Sequence, residues 1–142
     1  MAAEQADGRC FCGAIRFKVD LPVTVCVHCH CGMCRRMHGA AYVTWIEVPR
    51  SQLHIERGED RLHWFDSSEK GRRSFCTECG TALFCSIHER PEMIDIVLAN
   101  LGTPIGLAPQ LHIHWDDRAD WTVVSDALPK LGGKTGLEPV AD

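Results

Sequence analysis

Long apolar runs are missing from this sequence. None approaches the roughly 20 residues that a membrane-crossing helix needs, and the opening Met-Ala-Ala-Glu-Gln-Ala-Asp-Gly-Arg is acidic and has no hydrophobic stretch of the secretory kind. Positive charge is not in surplus: 15 Lys and Arg stand against 19 Asp and Glu, a formal net charge of −4 with the histidines neutral. That balance argues against a dedicated nucleic-acid binder, whose phosphate contacts need a basic face. There is no internal repeat and no long segment of period 3.6, which sets aside solenoids and helical bundles. Glu47, Glu56 and Asp95 show no spacing that suggests paired-carboxylate catalysis. What is left is a cytoplasmic globular chain with neither membrane nor nucleic acid as partner, and the sequence assigns it no oligomeric state.

Cysteine is what the chain has in quantity. Nine cysteines are an odd number, and they are clustered rather than spread. Without an export signal, clustered cysteines read as metal ligands in a reducing compartment rather than as disulfides. The densest stretch runs from Cys26 to Arg36, Cys-Val-His-Cys-His-Cys-Gly-Met-Cys-Arg-Arg.

The pattern around it predicts one mostly β domain over residues 8–131, with loose termini at 1–7 and 132–142. Ile15, Phe17 and Val19 alternate with Arg16 and Lys18, a half-buried strand ended by Leu21-Pro22. Cys31 to His38 suits one or two helical turns closed by Gly39. Ala40–Val48 reads as a strand, and Leu53/Ile55 and Leu62/Trp64 bracket a predicted hairpin turn at 57–60. Met93–Ala99, Leu111–Trp115 and Trp121–Val124 complete the β-like segments. Such a domain has a modest core, and metal would help to hold it.

Two cysteine constellations follow from spacing. Cys10-x-Cys12 and Cys76-x-x-Cys79 each sit on a tight turn followed by glycine, and four thiolates make the closed tetrahedral set of a structural zinc; the plain alternative is four buried cysteines. Cys29, Cys31 and Cys34 supply three thiolates, which leaves one position of a tetrahedral ion open, as in catalytic sites. Zinc on three thiolates is net negative, a poor Lewis acid that still accepts an incoming thiol as thiolate, so the set favours sulfur chemistry over hydrolysis. Cys26 competes: Cys26-x-x-Cys29 with Cys31-x-x-Cys34 would close the site, His28 and His30 are further candidate ligands, and spacing alone does not choose.

Four motifs in order carry a family resemblance: Gly-Arg-Cys-x-Cys-Gly-Ala-Ile-Arg-Phe from Gly8, Cys-His-Cys-x-x-Cys-Arg-Arg from Cys29, Phe-Cys-x-x-Cys-Gly-Thr-x-Leu from Phe75 and Pro-x-Leu-His-Ile from Pro109. The chain resembles the glutathione-dependent formaldehyde-activating enzymes, a family that includes centromere protein V. The resemblance implies an Mss4-like fold of small, curved antiparallel sheets and two zinc ions. One, structural, is on Cys10, Cys12, Cys76 and Cys79; the other, catalytic, is on Cys29, Cys31 and Cys34. It implies carbon–sulfur lyase or synthase activity on an adduct such as S-hydroxymethylglutathione, with a glutathione-like thiol and an aldehyde as small-molecule partners.

Beside these, Arg35 and Arg36 are candidates for binding a carboxylate of the thiol substrate, or surface charges that offset the thiolates. His38 lines the pocket or an exposed loop. His112 either moves a proton or, as its place between sheets favours, bonds the backbone. Cys85 reads as a small core residue. The four tryptophans read as core or sheet-edge residues, one of which could form an apolar wall beside the second ion. The alternative to an enzyme is a non-catalytic zinc module for a protein partner.

Overall fold

The computed structural model describes residues 4–140. The chain forms two compact units, one from the residues up to Thr24 with Ile46–Leu107, the other from Val25–Trp45 with the chain from Ala108 on. In chain order the elements are β1 (Gln5–Arg9), β2 (Arg16–Asp20), β3 (Val25–Cys29), α1 (Gly32–His38), β4 (Val43–Pro49), β5 (Leu53–Arg57) and β6 (Leu62–Ser68). They continue with β7 (Gly71–Cys76), β8 (Ala82–Ile87), β9 (Met93–Val97), β10 (Leu111–Ile113), β11 (Leu131–Gly132) and β12 (Glu138–Pro139). The fold is mostly β, in several small sheets, as the sequence suggests. Of the termini expected to be loose, residues 1–3 and 141–142 lie outside the described residues, β1 takes in Gln5–Asp7, and β11 and β12 pair as a short ribbon.

In the first unit, β1, β2 and β5 form a three-stranded antiparallel sheet. The strands β9-β8-β7-β6 lie side by side, also antiparallel. Ile15, Phe17 and Val19 are buried as the alternation predicts. The edge of one aromatic ring meets the face of another between Phe17 and Phe84, with centroids 5.1 Å apart, and Trp64 stacks near Phe84. Both phenylalanines are fully buried, so truncating either to alanine would cost about 3–5 kcal/mol.

β5 and β6 do not form the predicted hairpin; β5 pairs with β2, and β6 with β7. The reason lies in Gly58. It has a positive φ of 80°, and a Cβ built there would come within 2.0 Å of the Ala14 carbonyl oxygen. The turn is pressed against the start of β2 and sends β5 along that strand.

In the second unit, β3 lies between β10 and β4. β10 pairs with β3 in parallel, with His112 opposite His28 and Ile113 opposite Cys29. This pair is parallel, whereas β1-β2, β2-β5, β6-β7, β7-β8, β8-β9 and β11-β12 are antiparallel. A parallel partner becomes available because a long excursion separates the two strands in the chain. Trp121–Val124, expected as β-like, is not a strand; Trp121 and Val123 are exposed.

The first unit also brings together carboxyl groups that their spacing does not connect. Phe65, Arg73, Cys85 and Asp95 form one cross-strand row. Cys85 is buried in that row, as a small core residue would be, with a guanidinium on one side and an acid on the other. Asp95 hydrogen-bonds Glu47, and Arg90 donates to Glu47 Oε1. Burial first, then the neighbouring Glu47 carboxylate, push the Asp95 carboxyl up to about 8, against the pull of Arg90 and Arg73. The folded protein therefore keeps a proton that the unfolded chain releases near 3.8. The stability this proton confers is complete below that value and is lost as pH rises towards about 8. Chemical denaturation should show midpoints that fall from pH 5 to pH 8, and Asp95→Asn should flatten that slope. An unchanged slope in the variant would remove Asp95 as its source.

Candidate metal centres

The first centre is built from two turns of the first unit. The Cys10–Gly13 turn is closed by the Gly13 N–H donating to the Cys10 carbonyl at 3.1 Å. The Cys76–Gly80 turn is closed by the Gly80 N–H donating to the Cys76 carbonyl at 2.8 Å. Gly13 and Gly80 have φ of 80° and 81°, the left-handed backbone that lets each chain double back behind its cysteines. Cys10, Cys12, Cys76 and Cys79 are thereby gathered with their sulfurs within 4.8 Å of one another. Cys10 and Cys12 sulfurs are 3.6 Å apart, and Cys12 and Cys76 sulfurs 3.9 Å.

Backbone and hydroxyl donors aim at these sulfurs. The Ile15 N–H donates to Cys10 Sγ at 3.3 Å, and Thr81 Oγ1 lies 3.2 Å from Cys79 Sγ while accepting the Phe11 N–H at 3.0 Å. Burial works against ionising Cys79, yet the Thr81 hydroxyl and backbone donors hold its thiol down at about 6. Cys10 is likewise lowered against its burial, chiefly by the Ile15 N–H. Cys12 is raised to about 11: the Ala14 N–H favours its thiolate, but burial and the neighbouring sulfurs outweigh it. Four sulfurs this close ionise together only around a cation, and the donors present suit one.

The second centre stands where β3 runs into α1. Cys29, Cys31 and Cys34 are gathered within the same 4.8 Å limit, with Cys29 and Cys34 sulfurs 3.5 Å apart. Cys31 is the N-cap of α1, in extended backbone, and its sulfur accepts the Cys34 N–H at 3.2 Å. Gly39, in left-handed backbone, ends the helix as predicted. Trp45 is the tryptophan at this centre. Its indole N–H donates to Cys34 Sγ at 3.4 Å, so the wall expected to be apolar carries a polar contact. The Cys29 thiol is driven far up by the Cys31 and Cys34 thiols and then by burial, which again marks a place for positive charge. Cys26 is fully buried but is not gathered with these sulfurs, and burial raises its thiol. Among the described residues these two groups are the cysteine clusters that could hold metal ions.

The remaining candidates are spread around the second centre's unit. Arg35 donates from Nη1 to the Asp117 carbonyl at 3.0 Å, and its Nε is buried without a hydrogen-bond partner. Arg36 is exposed, with its guanidinium against Gly32. His38 packs edge-on to Trp45. The His112 side chain does not bond backbone. It is fully buried between His30 and Asp126, a contact across 82 residues of chain that spacing could not reveal.

The model of the family described as glutathione-dependent formaldehyde-activating enzyme matches residues 5–117. The chain belongs to this family. A Halomonas elongata relative, provisionally named as such an enzyme, is 24% identical over 83% of this chain and 80% of its own. A Podospora anserina relative, with the same provisional name, is 29% identical over 69% of this chain, which spans about half of that protein (48%). A solved crystal structure of a Rhodobacter sphaeroides protein is similar with a TM-score of 0.59 at 27% identity, over 72% of this chain and 97% of that one. The family match takes in all seven clustered cysteines.

Native mass spectrometry should find two metal ions per chain. Cys79→Ser should lose the ion that ties Cys10 and Cys12 to β7 and unfold the first unit, whereas Cys31→Ser should retain one ion and a cooperative melt. Trp45→Phe, which keeps the ring but removes the N–H, should weaken binding at the second centre roughly ten-fold. Equal behaviour of Cys79→Ser and Cys31→Ser would deny that the first centre, and not the second, holds its unit together.

Proposed function

We propose that this protein is a zinc-dependent carbon–sulfur lyase or synthase that acts on a thiol–aldehyde adduct of the S-hydroxymethylglutathione kind. Each chain would carry two zinc ions, one on Cys10, Cys12, Cys76 and Cys79 and one on Cys29, Cys31 and Cys34. Zinc–sulfur bonds of about 2.3 Å in a tetrahedron put sulfurs about 3.8 Å apart. The observed separations of 3.5, 3.6 and 3.9 Å suit that ion.

The observation that carries the reading is the count of three. The second cluster has three sulfurs among the described residues, with Cys26 outside it. Zinc bound there, net negative by one charge, would take up a substrate thiol as thiolate and leave it nucleophilic. The protein's own groups then act around that sulfur. The Trp45 N–H and the Cys34 N–H draw charge from the ligand sulfurs. Arg35 or Arg36 would hold a carboxylate of the thiol substrate, and the buried, unpartnered Nε of Arg35 supports that role.

In the addition direction the thiol gives up its proton and a sulfur–carbon bond forms at the aldehyde carbon. The carbonyl π pair moves to oxygen, and that oxygen takes a proton from water or a nearby acid. The lyase direction runs the same steps backwards. No disulfide joins any of the nine cysteines, all of which lie among the described residues, which suits a cytoplasmic, reducing setting.

A non-catalytic module for a protein partner is the second reading, favoured by the exposed Trp121 and Val123 side chains. Exchange between ¹³C-labelled formaldehyde and S-hydroxymethylglutathione, followed by NMR, separates the two. The enzyme should speed exchange at least 100-fold, and Cys31→Ser should return it to the spontaneous rate. Exchange at the spontaneous rate with metal-replete wild-type protein would leave the module.

A further inference from the structure

The second unit contains a line of hydrogen-bonded side chains that the reaction above does not use. The Asp126 carboxylate lies 3.0 and 3.1 Å from His112 Nε2, and His112 Nδ1 lies 2.8 Å from His30 Nε2. His30 and His112 are both 0% exposed. His30 is the residue between two of the clustered cysteines, Cys29 and Cys31.

The polarity of the line follows from its outer end. An ionised carboxylate only accepts, so His112 donates from Nε2. In its neutral form His112 accepts at Nδ1, and His30 donates from Nε2. The open end, His30 Nδ1, is buried without a hydrogen-bond partner and is a lone pair in this arrangement.

The line is anchored along its length. The His30 N–H donates to the Ile113 carbonyl at 3.0 Å, and the His112 N–H donates to the Pro129 carbonyl at 2.9 Å. Asp126 Oδ1 also accepts the Leu128 N–H at 3.0 Å. Tyr42 and Trp115 close on the His30 ring with centroids 4.8 and 5.0 Å away.

In near-extended chain, side chains at i and i+2 share a face and the one between them takes the other. The directions of the Cys29 and Cys31 sulfurs therefore depend on the rotation of residue 30. A ring wedged between two others and tied to β10 by both backbone and side chain removes that rotation.

We propose that Asp126, His112 and His30 form a positioning relay that fixes the Cys29–His30–Cys31 turn and so sets the spacing of the second centre's thiolates, none of the three being a ligand. The inference rests on the reading that this centre holds a metal ion. Groups that orient ligands without touching the metal typically change affinity 10–100-fold.

Cobalt(II) titration tests it, with the Cys31→Ser protein supplying the spectrum of the four-cysteine centre for subtraction. Asp126→Ala, a change at a half-exposed side chain, and His112→Gln should each lower cobalt affinity at the second centre about ten-fold or more and alter its ligand-field bands. The four-cysteine centre should stay as in wild type. Histidine ¹⁵N shifts should show one His30 tautomer, with the proton on Nε2, in the wild type and a mixture in Asp126→Ala. Wild-type affinity and bands in both variants would overturn the relay alone, as would equal losses at both centres, which would assign a merely structural role. Uptake of cobalt by wild-type protein at the four-cysteine centre only would overturn the underlying reading and the relay with it.

Discussion

Thiolates repel one another, and seven of this chain's nine cysteines stand in two clusters where the sulfurs almost touch. Everything around them makes that crowding tolerable. Glycines at positive φ fold the two turns of the first centre back on themselves. Backbone N–H groups, a threonine hydroxyl and an indole N–H point at sulfur. None of these donors supplies a full positive charge, and each cluster is a group that could hold a metal ion. The remainder of the fold sets strands at the right separation to bring the turns together.

Local chemistry was legible in the sequence, and long-range pairing was not. The cysteine turns and the short helix could be read because each is specified within a few residues: cysteines on a tight turn closed by glycine, or a run ended by Gly39. The alternation of Ile15, Phe17 and Val19 gave the core face of β2 for the same reason. The partner of β5 could not be read, because it depends on the close approach of Gly58 to Ala14. Nor could the neighbours of Glu47 and His112, which lie 48 and 82 residues away. The separation of Cys26 from its cluster is likewise a matter of backbone path rather than spacing.

Two acids show how this small protein handles charge. Asp95 sits on a central strand beside another carboxyl, and burial keeps its proton on. Asp126 is half exposed, and although burial works against it, donation from His112 and the Leu128 N–H keeps it ionised. The first is a neutral acid in a cross-strand row with a buried guanidinium, and the second is a fixed negative end for a line of buried histidine rings. The same side chain serves opposite ends because solvent reaches Asp126 more freely than Asp95 and the neighbours differ, a carboxylate beside one and hydrogen-bond donors beside the other.

The two cysteine centres differ in how far apart their members lie along the chain. The second spans six consecutive positions, so a nascent chain carries the complete set as soon as that short stretch leaves the ribosome. The first must wait for its second turn, since Cys12 and Cys76 are separated by 64 residues. A covalent link across a loop of that size restricts the unfolded chain by about 4 kcal/mol, and a metal clip acts in the same sense. With metal bound as proposed, the first centre would be a late fastening that commits the unit, and the second an early one that forms locally. During synthesis, metal scarcity would then strand chains with the local cluster loaded and the first unit still open.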